Sequence, residues 1–355
     1  MILKKLWGTS SKITNLVVNL KSFFFAGIIL TFFTSNLQSE EINIYSHRQP
    51  FLINPFLMEF SKNTGIKTNV VYSTKGLAQR LKTEGPNSPA DVILTVDIGR
   101  LKVYSDMNLL ANIKSKKLVE NIPKHLRSSD NTWFALSKRS RIIVVAKDRI
   151  QTSDIKKIED LSDGRWKGKI CSRPGSHVYN RALLASIIAA HGKGKAETWA
   201  KGLVSNLARR PQGNDRAQVK AIYEGQCDIA IINNYYYGKL KYSNDSIQRK
   251  WAENLRLVFP NQGENDRGAH INISGGGIAK HSKNKEAAIK LLEFLSEESS
   301  QKLYGEINFE YPVNEGVKLT KILASWGNFK EDKIAISKIA TLSFEAQKII
   351  DRVGW

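Results

Sequence analysis

Apolar positions along the chain switch between two periods. "EINIYS" (41–46) and "KTNVVYS" (67–73) are short β-rich runs, and between them "FLINPFLMEFSKNTG" (51–65) repeats apolar residues at helical spacing before closing on Asn63, Thr64 and Gly65. Together they predict a β-α-β unit. "ADVILTVD" (90–97) follows the turn-forming "EGPNSP" and predicts a buried strand, as does "CDIAIINN" (227–234), which ends in polar asparagines. "RALLASIIAAHG", "EAAIKLLEFLSEESSQKLY" and "SFEAQKIIDRVGW" predict helices with apolar faces. Strands joined through helices require crossovers, so the fold class expected is α/β with mixed, mostly parallel sheets.

A chain of 355 residues exceeds what one core usually covers, which makes two domains the expectation. There is no Pro/Ser-rich linker, low-complexity tract or internal repeat, so the reading is two lobes joined by strands that cross between them. The candidate crossings are "SRIIVVAK" (Ser140–Lys147) and "INISGGGIAK" (Ile271–Lys280). Gly275, Gly276 and Gly277 suit either a closing hinge or a point of close backbone packing. The expected lobes are residues 40–139 with 267–316, and 140–266 with 317–355.

Residues 1–39 carry Lys4, Lys5, Lys12 and Lys21, no acid, and the 11-residue apolar run "FFFAGIILTFF". That layout predicts a secretory signal peptide. The run is too short for a membrane span of about 20 residues. The four leader lysines account for four of the +21 formal charges, leaving the remainder at +17. A charge of this sign raises nucleic acid as a partner, but the lysines are spread out and an exported protein rarely meets nucleic acid. Two cysteines, Cys171 and Cys227, permit one disulfide in an oxidising compartment. Neither they nor the six histidines form a zinc-binding spacing.

Three groups carry candidate chemistry. "IYSHRQP" places His47, Arg48 and Gln49 at the end of the first strand, where α/β sheets bind ligands. "CSRPGSHVYN" puts Tyr179 at the start of a helix, where free N–H groups favour negative charge. "NNYYYGKL" sets Tyr235 and Tyr236 just past the end of a buried strand, with Tyr237 turned away to pack. A phenol has a free pKa near 10, so its anion needs a strong counter-charge, and a hard trivalent cation such as iron(III) supplies one.

These stretches, with "EGPNSPADVILTVDIGRL", "SHVYNRALLAS", "PQGNDRAQV", "FPNQ…GAHINISGGGI" and "YPVNEGV…SWGNFK", resemble in order the periplasmic ferric-iron-binding proteins of ABC importers, from about residue 41 onward. The resemblance implies a two-lobed type II periplasmic-binding fold that captures Fe3+ and delivers it to a membrane permease. It also implies a monomer, no enzymatic activity, and Tyr179, Tyr235 and Tyr236 as iron ligands. Many relatives place a His or His-Tyr pair where this chain has Gln49 and Pro50, so the ligand from the first lobe is missing. An anion such as carbonate is then expected beside the iron, held by Arg48 and Arg139 or Arg141, with Gln49 and His47 in the outer shell. The alternative reading is a binder of a small phosphate-type anion that uses the cleft arginines without metal. No G-x-S-x-G elbow, P-loop or paired-carboxylate motif supports an enzyme.

Overall fold

The computed structural model describes residues 40–355; the leader expected at 1–39 lies outside the described residues. β1 (Glu41–Ser46), the helix Pro50–Thr64 and β2 (Lys67–Tyr72) form the expected β-α-β unit, with the two strands parallel. Proline suits the first helical turn because its missing N–H has no partner there. The helix stops at Gly65, whose left-handed backbone (φ 75°) returns its N–H to the Ser61 carbonyl. β3 (Val92–Thr95) lies parallel to β1 on its other side.

The remaining strands are β4 (Trp133–Ala146), β5 (Ile170–Cys171), β6 (Ile229–Asn233), β7 (Leu255–Val258) and β8 (Ile271–Ile278). They complete a sheet in the order β2-β1-β3-β8-β4-β6-β5, with β7 also on β4. Antiparallel pairing exceeds the expectation: β8 runs against β3 and β4, and β4 against β6 and β7, while among the named strands of the described residues β1 with β2, β1 with β3, and β5 with β6 are parallel. The helix-linked strands are parallel as crossovers require; the two long central strands reverse direction.

β4 extends seven residues before the expected Ser140 start. From Trp133 to Ser140 it pairs with β8, and from Arg141 onward with β6 and β7. One strand thus passes from one half of the sheet to the other. Every β4 residue is buried, and alternation sends Ile143 and Val145 to one core and Ile142, Val144 and Ala146 to another. The polar "SKRS" within it hides the first half from a hydrophobicity pattern.

Of the two roles open for the β8 glycines, the structure displays close packing. A β-carbon on Gly275 would lie 2.6 Å from the Phe134 carbonyl oxygen, on Gly276 2.8 Å from that of Ile93, and on Gly277 2.6 Å from that of Thr132. None of the three has a positive φ.

Asp91 of "SPADV" is buried and accepts from Asn43 N (2.9 Å), Ser282 Oγ (2.7 Å) and Asn284 N (3.3 Å), pinning the start of β3 to β1 and to the loop after β8. Cys171 and Cys227 form a disulfide that ties the end of β5 to the approach of β6, with Cα atoms 5.8 Å apart. The helix Ile336–Thr341 packs on both the helix Ile98–Asp106, which follows β3, and the helix Val178–His191, which follows β5.

Candidate metal-binding cleft

The carboxyl ends of β1, β5 and β6 bring the three sequence groups to one cleft of about 180 Å³, lined by His47, Arg48, Gln49, Arg139, Tyr179, Tyr235 and Tyr236. β6 ends at Asn233 and the helix Asn234–Lys241 follows without a loop, so Tyr235 and Tyr236 occupy its first turn. Tyr179 occupies the first turn of the helix Val178–His191, whose cap, His177, accepts from the Tyr179 N–H at 3.3 Å. Although 56 residues separate them, the Tyr235 hydroxyl donates to the Tyr179 oxygen at 3.0 Å. The Tyr235 and Tyr236 ring centroids are 4.5 Å apart. Tyr237 turns the other way and packs edge-on against Trp326 at 5.6 Å.

The surroundings keep the Tyr235 and Tyr236 phenols protonated. Burial first, then Tyr179 and Tyr236, push Tyr235 well above its ordinary pKa. Tyr236 is pushed up to about 12, again by burial first and then by Tyr179. A site of this kind ionises only when a concentrated positive charge enters it. Among the described residues no group of three His, Cys, Asp or Glu stands ready for a metal.

The arginines divide into two kinds. Arg48, expected to hold an anion, is 2% exposed and already grips the Glu310 carboxylate at 2.6 and 3.2 Å, with Ser274 Oγ at 2.8 Å. Arg141 is likewise engaged, donating to Asp215 (2.6 Å), Asn180 Oδ1 (2.6 Å) and Asn233 Oδ1 (3.1 Å). Both expectations meet an internal carboxylate that answers the charge. Arg139 differs. It donates to the Val96 carbonyl and stands 3.8 Å from Asp97, and it leaves both Nε and Nη1 buried without a partner where Arg48 and Arg141 leave Nε alone. Buried donors of this kind are rare and costly. Arg100, Arg216 and Lys239 also line the cleft, and among the described residues none of them makes an ion pair.

His47 has both ring nitrogens occupied, Nδ1 by the Ser73 carbonyl at 2.7 Å and Nε2 by the Tyr104 hydroxyl at 3.0 Å. Burial, helped by Arg100, lowers its pKa to about 4, so the ring is neutral and braced. Gln49 caps the helix Pro50–Thr64 without a side-chain bond, leaving its amide exposed at the cleft.

Sequence reasoning missed the counter-charges. Glu310 sits in "NFEYPV", 262 positions from Arg48, with no pattern to mark it; Asp215 sits in "PQGNDRAQV", which counted only toward the resemblance. Beside Glu310, Phe309 adopts a left-handed backbone (φ 57°) and its carbonyl accepts from Asn234 Nδ2 at 2.8 Å. Its ring fills the space over Gly238, where a β-carbon would come within 2.5 Å of it.

An α/β molecule whose halves share a crossing strand, and whose strand ends open on one polar cleft, is built to enclose a solute. The chain belongs to the bacterial extracellular solute-binding proteins, a family matched by residues 56–331. Its relatives carry a narrower name. The chain is 41% identical over 319 residues to iron uptake protein A1 of Synechocystis sp., covering 90% of this chain and 88% of that one. Among solved structures it is similar to Mannheimia haemolytica ferric iron-binding protein A in an open conformation (47% identity, 88% of this chain and 98% of that one, TM-score 0.82). It is also similar to the Trichodesmium protein IdiA (FutA) in complex with iron and citrate (45% identity, 89% and 99%, TM-score 0.84).

Proposed function

We propose that this chain is a periplasmic binding protein that captures ferric iron and hands it to an ABC permease. Tyr179, Tyr235 and Tyr236 serve as tyrosinate ligands. The observation that carries the reading is the contact between the Tyr235 and Tyr179 hydroxyls at 3.0 Å, made by residues from separate helices at the cleft surface. Two phenols that close share a site small enough for one ion.

Three phenolates leave part of an iron coordination sphere open. Arg139, with its two unpartnered buried N–H groups, holds the anion that fills it, a carbonate or a hydroxycarboxylate, and the unpaired Arg100, Arg216 and Lys239 add positive potential. Arg48 and Arg141 contribute through structure, since Glu310 and Asp215 answer their charge. Gln49 and His47 border the outer shell. The lobes comprise 40–139 with 267–316 and 140–266 with 317–355, and the exported protein acts as a monomer that binds and releases without catalysing a reaction.

The test is an absorption spectrum of the purified protein with added ferric salt. Tyrosinate ligation gives a visible charge-transfer band, weakened in both Tyr179→Phe and Tyr235→Phe. A protein that stays colourless but binds phosphate would establish the metal-free anion reading, which the unpartnered Arg139 donors independently favour.

A further inference from the structure

Asp215, in "PQGNDRAQV", has entered so far only as the counter-charge of Arg141. It opens the helix Asp215–Tyr223 and is fully buried. A carboxylate at such a position is costly unless paired, although a helix N-terminus favours its charge. Burial alone would raise its pKa; Arg141 and then Arg173 more than offset that and hold it below the ordinary carboxylate range. Oδ2 accepts from Arg141 Nη1 at 2.6 Å and from the Asn233 N–H at 2.9 Å, and Oδ1 accepts from Arg173 Nη1 at 3.0 Å.

Each partner leads onward to a tyrosine. Arg141 reaches Asn180, the residue after Tyr179, at 2.6 Å, and Asn180 Nδ2 returns to the Arg173 carbonyl at 3.0 Å. The guanidinium carbons of Arg173 and Arg141 lie 5.2 and 5.9 Å from the centre of the Tyr179 ring. On the other side Arg141 meets Asn233 Oδ1 at 3.1 Å, and Asn233 Nδ2 donates to the Tyr235 oxygen at 3.2 Å. One carboxylate therefore anchors β4, the end of β6 and the start of the Tyr179 helix together.

We propose that Asp215 is a positioning residue of the metal site: through Arg141 and Arg173 it sets the relative placement of the Tyr179 and Tyr235 phenols before iron arrives. The inference rests on the ferric reading above. Asp91 supplies the contrast. It too is buried and ties three segments together, but Asn43, Ser282 and Asn284 do not line the cleft.

The experiment compares Asp215→Asn and Asp91→Asn in the whole mature protein, with iron supplied as ferric nitrilotriacetate. Both variants are expected to unfold at lower urea concentration. Only Asp215→Asn is expected to move the charge-transfer maximum and to weaken iron binding, by roughly tenfold to a hundredfold, as loss of outer-sphere support for a metal does. Should Asp215→Asn fail to fold, Arg173→Gln removes one arm and leaves the Arg141–Asp215 pair intact; a weakened band in that folded variant supports the proposal. An unchanged band and affinity in whichever variant folds, or an equal change in Asp91→Asn, overturns it. Absence of any band in the unsubstituted protein defeats the ferric reading itself, whereas a band that Asp215→Asn leaves untouched defeats this inference alone.

Discussion

Replacing Glu310 by glutamine tests whether Arg48 is a structural charge or a ligand-binding one. The pair is dry: Arg48 is 2% exposed and Glu310 5%, and the carboxylate also accepts from Ser137 Oγ at 2.9 Å. With charge centres about 4 Å apart and an effective dielectric of about 20, the attraction is about 4 kcal/mol. Glutamine keeps the shape and removes the charge, leaving a buried guanidinium uncompensated, for which a loss of about 3–5 kcal/mol is expected. Urea unfolding followed by tryptophan fluorescence reads that loss directly. The double variant Arg48→Met/Glu310→Gln removes both charges and is expected to recover most of it, because the destabilisation comes from the orphaned ion and not from the missing pair. A loss below about 1 kcal/mol in the single variant, the value of a solvent-exposed pair, would refute the assignment.

Acidification is expected to discharge iron, because the phenols of Tyr235 and Tyr236 hold their protons tightly and each fall in pH strengthens the proton against the metal; a charge-transfer band persisting below about pH 4 would contradict tyrosinate ligation. Apoprotein stability should also fall with pH. His47, lowered to about 4 by burial and Arg100, and His177, lowered to about 3 by burial, Arg173 and Arg141, are neutral in the fold, while the unfolded chain takes up protons below about 6.5. The urea midpoint should therefore be level above about pH 6.5 and decline from there toward pH 4; a midpoint that rises over that interval would reverse the sign of the argument. Reduction of Cys171–Cys227, which closes a loop spanning 56 positions, should cost about 2–4 kcal/mol, read as a lower urea midpoint in dithiothreitol than in its absence.

What could be read from the residues alone follows a physical divide. Periodicity reports burial, so β1, β2, β3 and the helix between β1 and β2 were legible, as was the placement of Tyr235 and Tyr236 just past a buried strand. The front half of β4 was not, because Lys138 and Arg139 interrupt the apolar run that would mark it. Pairing between distant charges leaves no local trace either. Arg48 looked free because Glu310 follows a helix far down the chain, and Arg141 looked free because Asp215 lies 74 positions away with no local mark. The glycines of β8 were ambiguous in sequence, since a hinge and a crowded strand both exclude a side chain; the crowding itself is visible only in the carbonyls of Phe134, Ile93 and Thr132.

Phe309 and Glu310 are adjacent yet answer to opposite walls of the cleft. One is bolted by its carbonyl and ring to the helix that bears the paired tyrosines, the other by its carboxylate to Arg48 at the tip of β1. A link one peptide long has no slack. A swing of the tyrosine helix away from β1 would therefore have to break either the Asn234–Phe309 bond or the Arg48–Glu310 pair.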